Sequence, residues 1–272
     1  MRRPVRRAGA GLRSALQAAA IPSWSGARDP APNAEALVFR RAPGRLPAGR
    51  RVYAIGDVHG CAAALATLHA AIADDLAARP VTAAILVHLG DYIDLGPDSA
   101  DVIERLLAPA PAPRLRVVNL LGDHERMLLQ AIGGDRAAAT DWLHAGGRAT
   151  LASWGLDPDL PREGWADAVP AAHLAFLRAL APFHREGDYL FVHAGIRPNV
   201  PLDAQTVDDM VTIRQPFLWT SQPLGVVVVH GHTASPAVAM EEHRIGLDTG
   251  AGTGGKLTCA VLEDDLVGLI AA

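Results

Sequence analysis

Five short segments of this chain gather residue types that bind metal ions. Asp57 and His59 fall in GDVHG, and Asp91 and Asp94 in GDYIDLGPDS. Asp123 and His124 fall in GDHE, His193 in HAG, and His230 and His232 in HGHT. Carboxylate and imidazole together suit manganese, iron or zinc rather than an all-oxygen calcium cage. Glycines beside each group permit tight turns and close backbone approach. A single Asp-x-His or His-Gly-His is equally well explained by a turn carboxylate or a hydrogen-bonded core histidine. Five such groups, each following an apolar run, point instead to one shared metal site.

The apolar runs are the elements that must carry these groups. Val52–Ile55, Ala84–Leu89, Leu115–Leu121, Tyr189–His193 and Val226–His230 read as strands, with Arg244–Asp248 and Leu257–Leu262 after them. Helices are predicted from Cys61 to about Ala78, over Ser99–Leu107 and from about Glu125. Residues 131–182 have helical patches and no clear strand, which predicts a helical insertion or cap with Trp142, Trp154 and Trp165 in its core. The front half alternates strand and helix, whereas the rear half is β-rich. The expected fold is therefore α/β, a two-sheet β-sandwich flanked by helices, with ligand-bearing loops at strand ends.

Composition bounds the rest. Of 272 residues, half are hydrophobic and a fifth charged, as in globular proteins. The net charge of −4 hides an asymmetry. Residues 1–50 hold 10 Arg against Asp29 and Glu35, while residues 51–272 hold 15 Lys and Arg against 27 Asp and Glu. Pro30, Pro32, Pro43, Gly44 and Pro47 mark a linker, so residues 1–50 are expected to be a basic flexible tail and 51–272 the folded domain. The acidic body argues against nonspecific nucleic-acid binding. Two cysteines, Cys61 and Cys259, make neither a disulfide framework nor a cysteine zinc site, and a reducing, cytoplasmic location is expected. No apolar run of about 18 residues predicts a transmembrane helix.

The order of these motifs resembles the calcineurin-like metallophosphoesterases, and more closely the bacterial phosphoprotein (serine/threonine) phosphatase branch. GDVHGC, GDYIDLGPDS, LLGDHE, HAGIRP, IRQPF, HGHT and RIGLDTG followed by GGKL each match a segment of that family, across nearly all of residues 51–263. WLHAGGRATLASWG, residues 142–155, resembles a further segment of bacterial members. The resemblance implies two metal ions, manganese first, with iron or zinc also accepted. Asp57, His59, Asp91 and His232 would hold the first. Asp91 would bridge to a second, held also by Asp123, His193 and His230. A bridging hydroxide would attack phosphorus, His124 would protonate the leaving oxygen with Asp94 orienting it, and Arg214 would hold phosphate oxygens. The implied partner is a phosphorylated substrate, a phosphoprotein or a small phosphoester.

Two positions depart from the family pattern. Leu95 stands where the family has Arg, and Asp123 where it has Asn. Together they shift the pocket by about two charge units toward repelling a phosphate dianion. At an effective dielectric of about 20, each unit is worth about a few kcal/mol at contact distance. Arg126, Arg148 and Arg197 are candidates to replace the lost clamp, Arg126 first. The main expectation is a phosphomonoesterase, plausibly a protein serine/threonine phosphatase. The alternatives are a phosphodiesterase or dinucleoside-polyphosphate hydrolase, for which loss of the clamp is easier to tolerate, and a metal-binding protein with weakened catalysis. His69, His88, His144, His173, His184 and His243 fall outside the motifs and read as structural or surface residues.

Overall fold

Strand alternation sends Val52 and Ala54 to one side of the chain and Tyr53 and Ile55 to the other, yet all four are buried. Such a strand must be covered on both faces. The computed structural model, which describes residues 37–159 and 162–272, shows how. Val52, Ala54, Ile85 and Val87 pack against Tyr189, Phe191, Val227 and Val229 of a second sheet. Tyr53, Ile55 and Leu86 pack against Leu65, Leu68, Ile72, Val102 and Ile103, which belong to helices on the outer face.

The strands are β1 (Arg40–Arg41), β2 (Arg50–Ile55), β3 (Ala83–His88), β4 (Leu115–Asn119), β5 (Phe183–Glu186), β6 (Tyr189–Val192), β7 (Val227–His230), β8 (Ala239–Met240), β9 (Arg244–Gly246), β10 (Thr258–Glu263) and β11 (Leu266–Ala271). One sheet has the order β1-β11-β10-β2-β3-β4, the other β5-β6-β7-β9-β8. Strands β2, β3 and β4 are mutually parallel, as are β6, β7 and β9. Parallel neighbours end on the same edge, so the loops after β2, β3 and β4 emerge together, as do those after β6 and β7.

The helices are α1 (Ala62–Ala78), α2 (Ser99–Leu107), α3 (Asp123–Ile132), α4 (Arg136–Trp142), α5 (Arg148–Ser153), α6 (Trp165–Ala168), α7 (Ala171–Arg178) and α8 (Val207–Thr212). Helix α4 runs through a π-turn at Leu143–Gly147 into α5, and α4 to α7 occupy the stretch expected to be a helical insertion. Among the described residues no helix is long and apolar enough to cross a membrane.

Residues expected to form linker up to position 50 join the fold earlier. Arg40 and Arg41 pair with Val267 and Leu266 of β11. Leu46 is buried between the sheets, and the Gly44 carbonyl accepts from the Tyr189 hydroxyl at 2.8 Å. Proline and glycine turn the chain here without releasing it, because Leu46 has an apolar slot to fill. The first 36 residues of the expected tail lie outside the described residues. Strands β5, β8 and β11 have no counterpart in the sequence reading. Strand β11 forms a hairpin with β10 through the two-residue turn Asp264–Asp265, where Asp264 takes φ +48°.

Candidate metal centre

Each strand end delivers its motif to one place. Asp57 and His59 follow β2, Asp91 and Asp94 follow β3, and Asp123 and His124 open α3 after β4. His193 follows β6, and His232 lies two residues beyond β7. Several of these residues sit in the left-handed region: His59 at φ +43°, Asp91 at +49°, Asp94 at +73° and His232 at +64°, with Leu95 at +63°. Side chains with a Cβ avoid that region, so this clustering marks backbone held in place by its surroundings.

Two sets of side chains come within metal-holding distance of one another, and they share Asp91. One is Asp91, Asp123, His193 and His232, and the other is His59, Asp91 and His124. His193 Nε2 is 3.0 Å from Asp123 Oδ1 and 3.4 Å from Asp91 Oδ1, and His232 Nδ1 is 3.0 Å from Asp123 Oδ1. His59 Nε2 lies 3.5 Å from Asp91 Oδ2. Asp57 adjoins them. Its Oδ2 accepts from the His232 backbone N–H at 2.8 Å, while its Oδ1, like His232 Nε2, is buried with no hydrogen-bond partner. The approach is close enough that a Cβ on Gly231 would stand 1.8 Å from Asp57 Oδ1.

These side chains fit divalent cations. A buried carboxylate oxygen without a partner is costly unless a cation meets it. The Nδ1 atoms of His59 and His193 lie 2.9 and 3.0 Å from the carbonyls of Ile93 and Leu89, which orients each ring with its Nε2 toward the carboxylates, where a metal ion would take the place of a proton. Burial opposes ionisation of Asp123, but hydrogen bonds from His193 and His232 outweigh it and hold its carboxyl well below the usual range.

His230 is placed elsewhere. It belongs to neither set, its Nδ1 lies 3.0 Å from the Gly231 carbonyl and its Nε2 3.4 Å from Arg244 Nη1. It is the last residue of β7 and its ring lies against Phe217 and Gly246, whereas His232, in the following loop, joins the cluster. His232 also stands with Asp123 and His193 rather than with His59, opposite to the grouping expected from the motifs.

His124 and Asp94 lie side by side, with Nδ1 2.7 Å from Oδ2. Burial opposes a charged imidazole, but the carboxylates of Asp91, Asp94 and Asp123 prevail and push His124 up to about 10. Asp94 is fully buried and held from the insertion. Trp142 Nε1 donates to Oδ2 at 2.8 Å and Thr150 Oγ1 to Oδ1 at 2.5 Å, while the Asp94 backbone N–H donates to Ser99 Oγ and Thr150 Oγ1. Glu125 clamps the same loop. Its carboxylate accepts backbone N–H groups from Asp91, Tyr92, Ile93 and Gly122. Sequence reading assigned no role to Glu125, Thr150 or Ser99 and took Trp142 for core packing. The only signal was that Glu125 closes GDHE and that Trp142 and Thr150 fall in the WLHAGGRATLASWG match.

The arginines divide sharply. Arg126 pairs with Asp208, Arg148 with Asp159 at 2.8 Å, and Arg197 with Asp209 through two guanidinium nitrogens. All three candidate replacements for the missing clamp are thus engaged with carboxylates. Arg214 is exposed on the loop after α8. Leu95 is 42% exposed and lies against Gly146 of the insertion and Gly252.

Two sheets packed face to face, with helices outside them, gather carboxylates and histidines from both layers around Asp91, the arrangement of a metal-dependent phosphoesterase. The profile of the calcineurin-like phosphoesterases matches residues 50–266, and the chain belongs to that family, whose members are metal-dependent phosphoester hydrolases. Among curated proteins it is similar to a symmetrical bis(5'-nucleosyl)-tetraphosphatase of Methylococcus capsulatus, 32% identical over 54% of this chain and 44% of the relative. The chain spans about half the length of the curated relatives it matches. Among solved structures, one described as a candidate diadenosine tetraphosphatase superposes with TM-score 0.57 at 24% identity, covering 82% of this chain and 93% of the other. A cold-active protein-tyrosine phosphatase of a Shewanella species superposes with TM-score 0.52 at 18% identity over 81% and 79%. At these identities the structural likeness speaks for the fold alone.

Proposed function

We propose that this protein hydrolyses dinucleoside polyphosphates at an internal anhydride bond. The carrying observation is that the three arginines expected to replace the clamp at Leu95, Arg126, Arg148 and Arg197, are each ion-paired with a carboxylate. A terminal phosphate monoester brings a dianion. An internal phosphorus of a polyphosphate carries a single charge, so a pocket with Leu95 and Asp123 repels it less. Relatives named symmetrical tetraphosphatases support the same reading over the protein-phosphatase reading that the motifs first suggested.

In this reading Asp57, His59 and Asp91 would hold one ion, and Asp91, Asp123, His193 and His232 would hold the other. When bound, such ions would supply Lewis acidity toward phosphoryl oxygens and toward a water; manganese, iron and zinc all accept these donors. Arg214 binds a phosphate oxygen through its planar fork. His124 donates a proton to the leaving phosphate oxygen, and Asp94 fixes the orientation of the imidazole. Water adds across the middle anhydride bond, and a dinucleoside tetraphosphate yields two nucleoside diphosphates.

The test is a substrate panel with the metal-loaded full chain: diadenosine tetraphosphate, p-nitrophenyl phosphate, its bis-ester and phosphopeptides. The expected result is the highest kcat/KM for the tetraphosphate. A higher kcat/KM for phosphopeptides or p-nitrophenyl phosphate overturns the reading.

A further inference from the structure

Trp219 is 79% exposed, the most exposed large aromatic among the described residues, whereas Trp142 and Trp165 are buried and Trp154 is half-buried. An indole left in water forgoes its large hydrophobic contribution, and such exposure marks a surface that meets something. A loose loop could fold the ring inward; this one is fixed. Phe217, two residues before, is fully buried and packs edge-on against His230 with ring centroids 5.1 Å apart. It also fills the space over Gly195, where a Cβ would stand 2.4 Å from the Phe217 ring. The turn is tied by Leu218 N–H to Arg214 O at 2.9 Å and by Trp219 and Thr220 N–H to Pro216 O at 3.2 and 3.1 Å. Trp219 is therefore presented by a turn anchored to the loop that carries His193 and to the end of β7, two residues before His232.

Arg214 opens that same turn and is exposed with it. A guanidinium for phosphate and a flat aromatic face, five residues apart on one rigid turn, match the two chemical parts of a nucleotide. We propose that Trp219 is a stacking platform for a nucleobase of a nucleoside polyphosphate substrate. Trp219 thereby becomes a determinant of specificity for nucleotides over base-free phosphates. This inference rests on the dinucleoside-polyphosphate reading for its substrate. Every base has a π-face, so the platform tolerates different bases, with purines held better than pyrimidines by their larger rings.

The test compares wild type, Trp219→Ala and Trp219→Phe, each as the metal-loaded full chain, with diadenosine tetraphosphate and with inorganic tetraphosphate, which has the anhydride and no base. Base–aromatic stacking is worth about 5- to 150-fold in affinity. Trp219→Ala should lower the ratio of kcat/KM for the dinucleotide to that for inorganic tetraphosphate by that factor, chiefly through KM, and Trp219→Phe should restore most of it. An unchanged ratio overturns the platform. Adenosine diphosphate binding, followed by quenching of indole fluorescence, separates this failure from failure of the broader reading. Quenching that vanishes in Trp219→Ala supports the platform even if wild type leaves the dinucleotide intact, an outcome that overturns only the proposed reaction. Quenching that persists unchanged in Trp219→Ala, or is absent from wild type, overturns the platform.

Discussion

Trp142 Nε1 donates to Asp94 Oδ2 at 2.8 Å, on the same oxygen that His124 Nδ1 meets at 2.7 Å. The indole belongs to the helical insertion and the imidazole to the first turn of α3, so the insertion reaches the proposed proton donor through one carboxylate. Trp142→Phe keeps most of the packing and removes the donor. A hydrogen bond to a charged group contributes about 1.5–3 kcal/mol. Expressed in the orientation of His124, that predicts a fall in kcat of about 10- to 100-fold with KM little changed. Steady-state kinetics check it, with metal content measured alongside to show that the centre stays intact.

The positions of His230 and His232 predict different fates on truncation. His232→Ala and His193→Ala should each retain about one ion per chain after dialysis, because each removes a donor from the set around Asp123. His230→Ala should retain both ions, since its ring nitrogens face Gly231 and Arg244. Elemental analysis of the purified variants reads this directly. Loss of an ion from His230→Ala would return that residue to the ligand set.

Charge at positions 95 and 123 should move substrate preference. Leu95 is partly exposed, so solvent screens an added charge there and the gain stays well below the unscreened value. Leu95→Arg with Asp123→Asn should raise kcat/KM for p-nitrophenyl phosphate, relative to diadenosine tetraphosphate, by about tenfold or more, equivalent to about 1.4 kcal/mol. A ratio that stays constant or falls would show that charge does not set the preference.

Acid should destabilise the fold through a pair outside the site. His69 Nε2 lies 2.9 Å from His88 Nε2, and His88 Nδ1 lies 2.8 Å from Asn119 Oδ1, with the His88 ring edge-on to Tyr92. The chain is satisfied when both imidazoles are neutral, with His69 donating to His88 and His88 to Asn119. Burial, with Arg105 beside His69, pushes His69 down to about 4; burial, with His69 itself, pushes His88 down to about 3. The unfolded chain therefore binds protons that the folded chain refuses. Stability is fully present above the unfolded pKa of about 6.5 and falls as pH drops from there toward 4 and 3, by up to about 1.4 kcal/mol per histidine per pH unit. Urea denaturation at pH 7 and pH 5 measures it. His69→Gln keeps a donor to His88 without titrating, and should reduce this slope by about one proton.

Much of the fold was legible because the parallel strands announce themselves. Val52–Ile55, Ala84–Leu89 and Leu115–Leu121 are apolar runs each followed by Gly-Asp, and each lies within about two residues of a strand end. What stayed hidden is tertiary. Strand β8 has two residues and no periodicity to read. Strand β1 is two arginines whose pairing with β11 depends on a partner more than 220 positions away. In the site, the motifs named Asp91, Asp123, His193 and His232, yet spacing gave no means to tell which of His230 and His232 turns inward. That depends on where β7 ends and on the left-handed φ of His232. Trp142 and Thr150 were invisible as site residues because their link to Asp94 crosses about 50 positions of sequence.

The candidate metal ligands come from both layers of the sandwich. Asp57, His59, Asp91 and Asp123 hang from the six-stranded sheet, and His193 and His232 from the five-stranded one. Ions gripped jointly would act as a clasp across the seam between the layers. Loading would then be coupled to docking of the two sheets, and metal supply would govern how long the whole molecule survives heat or proteolysis as well as how fast it turns over.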